Sequence, residues 1–407
     1  MNEEEANLRE LVELKDMQIG AILEITQAIN DNIPEKSLYK IYQFLLLANL
    51  RIRKLALFVF DEYWECKVNF GTEKSIFKID LPEEYKALKK ETYYNDRELV
   101  FGEFNVAVPV FHKKKLLGLV FVGESSFIGP SAADSKESVI FFKSLTNIIV
   151  VAVENKKLAR KQRMQEAYKR ELEIARQVQL NLIPKLQERY DQFDLSAYYK
   201  PFHEVGGDYY DFFEVAPDKY LLCIADVSGK GVPAAMMMSN FQASLRALAK
   251  HNGSLQEMVF ELNGMIKQRG NGELFITVFV GFLNTDKRKL EYVNCGHNPP
   301  ILCADDEVRE LKKGTTILGV FDDLPFLEFG EEELTHGAIL SLYTDGVSET
   351  ENSAGVEFGE ERFHKIVKNS TIDSSDAINN RVIYFLQEFS EGTPYKDDIT
   401  LLTLKMF

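Results

Sequence analysis

The chain has 407 residues, 45% of them hydrophobic and only 12 of them proline, which places it among folded globular proteins of about two domains. Its formal net charge of −15 is unevenly spread, because residues 186–407 alone carry about −16. So acidic a C-terminal half excludes a nucleic-acid substrate, whose phosphates it would repel, and suits a site for divalent cations.

The four cysteines, Cys66, Cys223, Cys295 and Cys303, form no CxxC pair and no disulfide framework, as expected in a reducing cytosol. The opening MNEEEANLRELVELK lacks the basic and apolar regions of a secretory signal. No apolar run approaches the ~20 residues that span a bilayer. A soluble, cytoplasmic protein without membrane insertion is expected.

In chain order, residues 1–30 read as a helix, with Leu8, Leu11, Leu14, Ile22 and Ile25 at helical spacing. LALFVF at 55–60 is a short buried strand. NVAVPVF at 105–111 and LLGLVFV at 116–122 are joined by the polar turn HKKK as a hairpin. A long helix then starts near Ser131 and runs past Glu154. This α+β pattern, from opening helix to closing helix, resembles a GAF domain over roughly residues 18–155, preceded by an N-terminal helix at 1–17. The resemblance implies a sensor that binds a small regulatory ligand; a dimerisation or scaffolding domain is the plainer alternative.

Residues 150–184 read as a helical, coiled-coil-like linker. It has eight Lys/Arg against three Glu over 156–176, and no Gly or Pro until Pro184. Seven-residue steps pick out Val151, Leu158 and Leu172, then Tyr168, Ala175 and Leu182, interrupted by polar residues. A homodimer joined along this helix is expected, against the simpler reading of a single solvated helix.

The last domain, 185–407, alternates strand-like runs (193–200, 209–215, 220–225, 275–283, 290–294, 338–343, 399–404) with helices at 234–250, 255–268, 360–367 and 375–389. A two-sheet sandwich covered by helices follows. Aspartates stand at the strand ends: Asp208 in HEVGGDYYDFF, Asp226 in CIADVSGKGVPAA, Asp345 in ILSLYTDGVSETEN, and Asp397 with Asp398 in YKDDITLLTL. Singly, each reads as a turn former or helix cap. Together they need a shared partner, and oxygen-only ligands with no thiol or imidazole beside them favour Mg²⁺ or Mn²⁺.

The strings VGGDYYDFF, IADVSGKGVPAAMMMS, FITVFVGFLN, YVNCGHNPPIL, LSLYTDGVSETEN and DDITLL, entered by ELEIARQVQLNLIP, resemble the SpoIIE family of PPM-type metal-dependent serine/threonine phosphatases. The match covers about residues 170–407 with every block in order. It implies an α/β–β/α sandwich and two Mn²⁺ or Mg²⁺ ions. Asp226 would bridge the ions, aided by the main-chain carbonyl of Val227. Asp345 and Asp397, the latter preferred over Asp398, would hold one ion between them. Asp208 would join the same centre through water or directly. Lys230 is a candidate phosphate contact, with a solvated loop lysine as the plainer alternative. His297 is a candidate acid, with a structural hydrogen bond as its alternative.

The resemblance also implies that water attacks phosphorus in line, with no covalent enzyme intermediate. The implied substrate is a phosphorylated STAS-domain anti-anti-sigma factor in a partner-switching pathway. A phosphatase-like scaffold without catalysis and a small-molecule phosphoesterase are the alternatives. Nucleotide cyclase or kinase activity lacks its Gly-rich phosphate loop.

Overall fold

A computed structural model describes residues 3–49, 52–72, 80–94, 100–123, 135–251, 254–270, 273–304 and 307–407. The backbone divides into two units, Met1–Glu166 and Ala167–Phe407.

In the first unit, helices α1 (Glu3–Asn30) and α2 (Glu35–Asn49) precede strands β1 (Lys54–Phe60) and β2 (Trp64–Phe70). The short α3 (Glu83–Lys86) and β3 (Thr92–Tyr93) follow, then the hairpin β4 (Val106–His112) and β5 (Lys115–Gly123), and helix α4 (Ser135–Leu180). The five strands form one antiparallel sheet in the order β2-β1-β5-β4-β3. β1 is buried along most of its length because both faces of the sheet are covered. Leu55, Leu57 and Val59 meet Ile25 of α1, Tyr42 and Leu46 of α2, and Phe142, Leu145 and Ile149 of α4. Ala56 and Phe58 face an aromatic cluster with Phe104, Phe121 and Leu81.

The sequence reading found α1, β1 and the hairpin but passed over α2 and β2. The expected start of the closing helix near Ser131 lies outside the described residues. Closing helix and connector are one helix, α4, which no Gly or Pro interrupts and which stops four residues before Pro184.

The second unit holds β6 (Gln187–Arg189), β7 (Phe193–Lys200), β8 (Tyr209–Ala216) and β9 (Lys219–Val227), then helices α5 (Val232–His251) and α6 (Leu255–Gly270). Strands β10 (Ile276–Asn284), β11 (Lys289–Cys295), β12 (Ile301–Ala304), β13 (Glu307–Glu310), β14 (Gly314–Thr315), β15 (Gly330–Glu333) and β16 (Ile339–Tyr343) come next. The chain closes with α7 (Asp345–Ser348), α8 (Glu360–Lys368), α9 (Ser375–Ser390) and β17 (Ile399–Met406). One sheet runs β14-β11-β10-β9-β8 with β15 on β11; the other runs β13-β12-β16-β17-β7-β6.

Period-two alternation sorts the second sheet between two cores. Leu340, Leu342, Leu402 and Leu404 point into the core shared with the first sheet. Ile339, Tyr343, Ile399 and Leu401 point outward to Phe363, Val367, Ile378 and Leu386 of α8 and α9. With α5 and α6 against β8, β9 and β10, the unit is a four-layer α/β–β/α sandwich.

Because the two units have separate cores, Leu145→Ala, at a fully buried position of the first, should lower that unit's stability by about 2–5 kcal/mol. Denaturant unfolding followed by segment-resolved hydrogen exchange should show the second unit's transition unmoved. A matching shift in both units would show them to be one cooperative body.

Candidate metal-dependent active site

The strands deliver their aspartates to one end of the sandwich. Asp226 is the last residue but one of β9, opposite Thr277 of β10. Asp208 directly precedes β8, Asp345 opens α7 one residue after β16, and Asp397 and Asp398 lead into β17. A cleft is lined by Phe202, Gly207, Asp226, Lys230, Asp397 and Asp398. The sequence-derived residues Asp226 and Asp397 thus share one opening, and Asp345 lies near enough to act on both.

The five carboxyl groups do different things. Asp398 is buried, and its oxygens accept backbone hydrogen bonds from Phe202 N (2.7 Å) and Gly207 N (2.7 Å). It clamps the loop 202–208 and has little left to offer a ligand. Asp397 is half-buried, and its Oδ2 accepts from Lys230 Nζ at 2.7 Å. Both residues of the DD pair line the cleft, but the first carries its side chain half-exposed beside Lys230 while the second is engaged by backbone amides.

Asp208 is also buried, and its Oδ2 accepts from the hydroxyls of Thr344 and Thr400. Thr344 Oγ1 in turn accepts from Thr400 N. Burial, then Asp226 and Asp398, hold the Asp208 carboxyl well above the usual range. Asp226 lies close enough to be the first charge that adds to this shift. Its Oδ2 is taken by the two hydroxyls, which leaves Oδ1 for a ligand.

Burial pushes Asp226 up to about 7, followed by repulsion from Asp345, Asp397 and Asp398. Asp345 is raised by burial and then by Asp397, and Lys230 opposes this. Carboxylates so placed lack enough positive charge. The donors facing the cleft are hard oxygens, the set that suits Mg²⁺ or Mn²⁺. Val227 joins them: a Cβ on Gly207 would fall 2.8 Å from the Val227 carbonyl oxygen and 3.6 Å from Asp226 Oδ1. Only glycine at 207 lets the loop lie so close to both. Among the described residues these acids are not drawn into a ready-made three-ligand shell; Lys230 holds Asp397 instead. The residues fit a divalent cation in chemistry and placement.

His297 is buried in its loop. Its Nδ1 lies 2.8 Å from Thr277 Oγ1, and its backbone N donates to Asn294 Oδ1, while Asn294 Nδ2 donates back to the His297 carbonyl. Burial holds the imidazole down at about 4. A neutral, enclosed ring is a structural group, not a free acid.

The sequence reading did not find Thr344, Thr400, Gln179 or the pair Asp211–Arg246. Arg246 of α5 makes two hydrogen bonds to Asp211, at 2.7 and 2.8 Å, beneath the first sheet. Gln179 lies in the last turn of α4, in the second unit, and is buried. Its amide oxygen accepts from Gly206 N at 3.1 Å, and its amide nitrogen donates to the Gly206 carbonyl at 2.6 Å. The only hint was a polar residue repeated in ARQVQL, which reads equally as a solvated face.

The geometry defines a two-sheet α/β–β/α phosphatase fold with carboxylates at its strand ends. Residues 216–407 match the family model described as "Stage II sporulation protein E (SpoIIE)". The C-terminal unit is a SpoIIE-family, PP2C-type phosphatase domain. The chain is 28% identical over 247 residues to the phosphoserine phosphatase RsbU of Bacillus subtilis, covering 60% of this chain and 72% of RsbU. It is 28% identical over 184 residues to the phosphoserine phosphatase RsbP of the same organism, covering 44% of this chain and 45% of RsbP. Among solved structures, the SiaA-PP2C domain of Pseudomonas aeruginosa superposes with a TM-score of 0.53 at 23% identity, over 60% of this chain and 98% of that one, a likeness of fold.

Two outcomes follow. Gln179→Leu leaves the buried Gly206 N–H and C=O without their partner, so the second unit should lose about 2 kcal/mol. The Gly206 amide should also exchange faster than its neighbours in β8; uniform protection would show that the contact carries no weight. The second concerns pH. His297 binds its proton near 4 when folded and near 6.5 when unfolded. Its contribution to stability is therefore complete above pH 6.5 and falls by roughly 3 kcal/mol as the pH drops to 4. Asp226 acts in the opposite sense, because its raised pKa makes the folded state take up the proton first. Urea unfolding of His297→Gln against wild type at pH 7 and pH 4.5 isolates the histidine: the variant should lose less stability on acidification.

Proposed function

We propose that this protein is a metal-dependent phosphatase that hydrolyses phosphoserine or phosphothreonine on a protein substrate, a STAS-domain anti-anti-sigma factor of a partner-switching pathway. The observation that carries this reading is the arrangement of Asp226, Asp345 and Asp397 at the strand ends of a PP2C-type sandwich, where Asp226 and Asp397 line one cleft and, after burial, Asp345 and Asp397 raise Asp226 while Asp397 raises Asp345. The names of RsbU and RsbP as phosphoserine phosphatases support the reaction class.

In this reading Asp226, the Val227 carbonyl, Asp345 and Asp397 hold two Mn²⁺ or Mg²⁺ ions. Bound divalent cations supply the charge that activates water and offsets the phosphoryl oxygens. The rest falls to the chain. Asp208, fixed by Thr344 and Thr400, would join the same centre through water or directly. Asp398 holds the loop 202–208 at the cleft wall. The first unit acts as a GAF-like sensor for a small ligand, coupled through α4 in a homodimer. Exposed Leu158, Met164, Tyr168, Ile174 and Val178 along α4 offer that dimer an apolar face. All four cysteines are unpaired, in keeping with a protein of the cytoplasm. Among the described residues, no helix is long and apolar enough to cross a membrane.

The test is turnover of a phosphoserine STAS protein with Mn²⁺ by wild type, Asp226→Asn and Asp345→Asn. Metal-dependent release of phosphate by the wild type should fall at least a hundredfold in both variants. A wild-type dimer that binds metal yet releases no phosphate would favour the silent scaffold, and turnover of nitrophenyl phosphate alone would favour a small-molecule phosphoesterase.

A further inference from the structure

Lys230 faces the acid cluster, and its placement is specific. The SGKG loop between β9 and α5 carries glycines in the left-handed region on either side of it, Gly229 at φ +87° and Gly231 at φ +72°. Between them the lysine side chain crosses the cleft. Its Nζ donates to Asp397 Oδ2 at 2.7 Å and to the Lys396 carbonyl at 2.6 Å, and it lies 5.2 Å from the centre of the Phe202 ring. The same ammonium lowers Asp345 and Glu349 against the pull of their acidic neighbours. The turn is anchored at its start, where Ser228 pairs with Phe275 and a Cβ on Gly229 would lie 3.6 Å from Leu274, and open at its end, where a Cβ on Gly231 would meet nothing within 4 Å. The lysine is therefore held by its hydrogen bonds to Lys396 and Asp397 in the loop before β17, and the open end of its own loop leaves it room to swing away.

We infer that Lys230 is a built-in competitor for the divalent cation: its ammonium occupies Asp397 in the metal-poor protein and must be displaced for the site to load. The inference rests on the reading of Asp397 as a metal ligand. An ammonium and a divalent cation need the same carboxylate lone pairs, and their like charges exclude one another at this distance. The side chains of Lys230 and Asp397 are 47% and 36% exposed, so water screens the pair and the lysine is held weakly enough to be displaced. Meanwhile it keeps Asp397 in place beside Asp226 and Asp345, whose mutual repulsion would otherwise push the cleft open. The concentration at which metal loads is then a property of the SGKG loop as well as of the ligands.

The test uses the full chain and Mn²⁺ alone, with free Mn²⁺ read by electron paramagnetic resonance, so no turnover is needed. Lys230→Met and Lys230→Gln should each bind Mn²⁺ about threefold more tightly, or better, than wild type. In an Asp397→Asn background the same change at 230 should have no effect. Equal or weaker binding in both lysine variants, with wild-type binding intact, overturns the inference alone. A wild type that binds no Mn²⁺ overturns it together with the metal reading of the site.

Discussion

Carboxyl groups gathered at one end of a two-sheet core repel one another, and the surrounding structure is arranged to keep them there. Each acid is restrained by a different device. Asp398 accepts backbone amides, Asp208 is tied by two threonine hydroxyls, Asp397 is paired with Lys230, and Asp211 further back is locked to Arg246. Asp226 and Asp345 are left with less compensation, and burial, followed by repulsion from Asp345, Asp397 and Asp398, pushes Asp226 up to about 7. A divalent cation answers that deficit most directly.

The sandwich makes this concentration of charge tolerable. Alternation along β16 and β17 sends leucines inward on one face and Ile339, Tyr343, Ile399 and Leu401 outward to α8 and α9. Both faces of the strands are thereby buried, and their ends become the places where polar groups can emerge. The loop after β7 then has to pass within van der Waals contact of Asp226 and the Val227 carbonyl, and Gly207 permits it. Gln179 extends the arrangement to the last turn of α4, where a side-chain amide imitates a strand neighbour for Gly206. The last turn of α4 thus ends against the wall of the candidate site.

The α+β character, the hairpin of the first unit, most strands of the second and the acids at their ends were legible in the sequence. Those signals are local: apolar alternation over a few residues, a polar turn, an aspartate after an apolar run. α2 and β2 were passed over because their apolar residues are interleaved with Lys, Gln and Glu, a pattern that only burial against β1 and α1 resolves.

What the amino-acid sequence determined by itself was which residues could carry the chemistry, because residue type and strand-end position are written along the chain. It distinguished Asp397 from Asp398 only through a family resemblance. Tertiary structure decided the rest: that Asp398 turns to Gly207 and Phe202, that Asp208 is held by Thr344 and Thr400 from strands far apart in sequence, and that Lys230 lies on Asp397. The physical reason is that hydrogen bonds and Coulomb interactions act over a few ångströms in space. The partners that set each carboxylate's charge and direction lie between 136 and 192 residues away along the chain for Asp208, and 167 for Asp397.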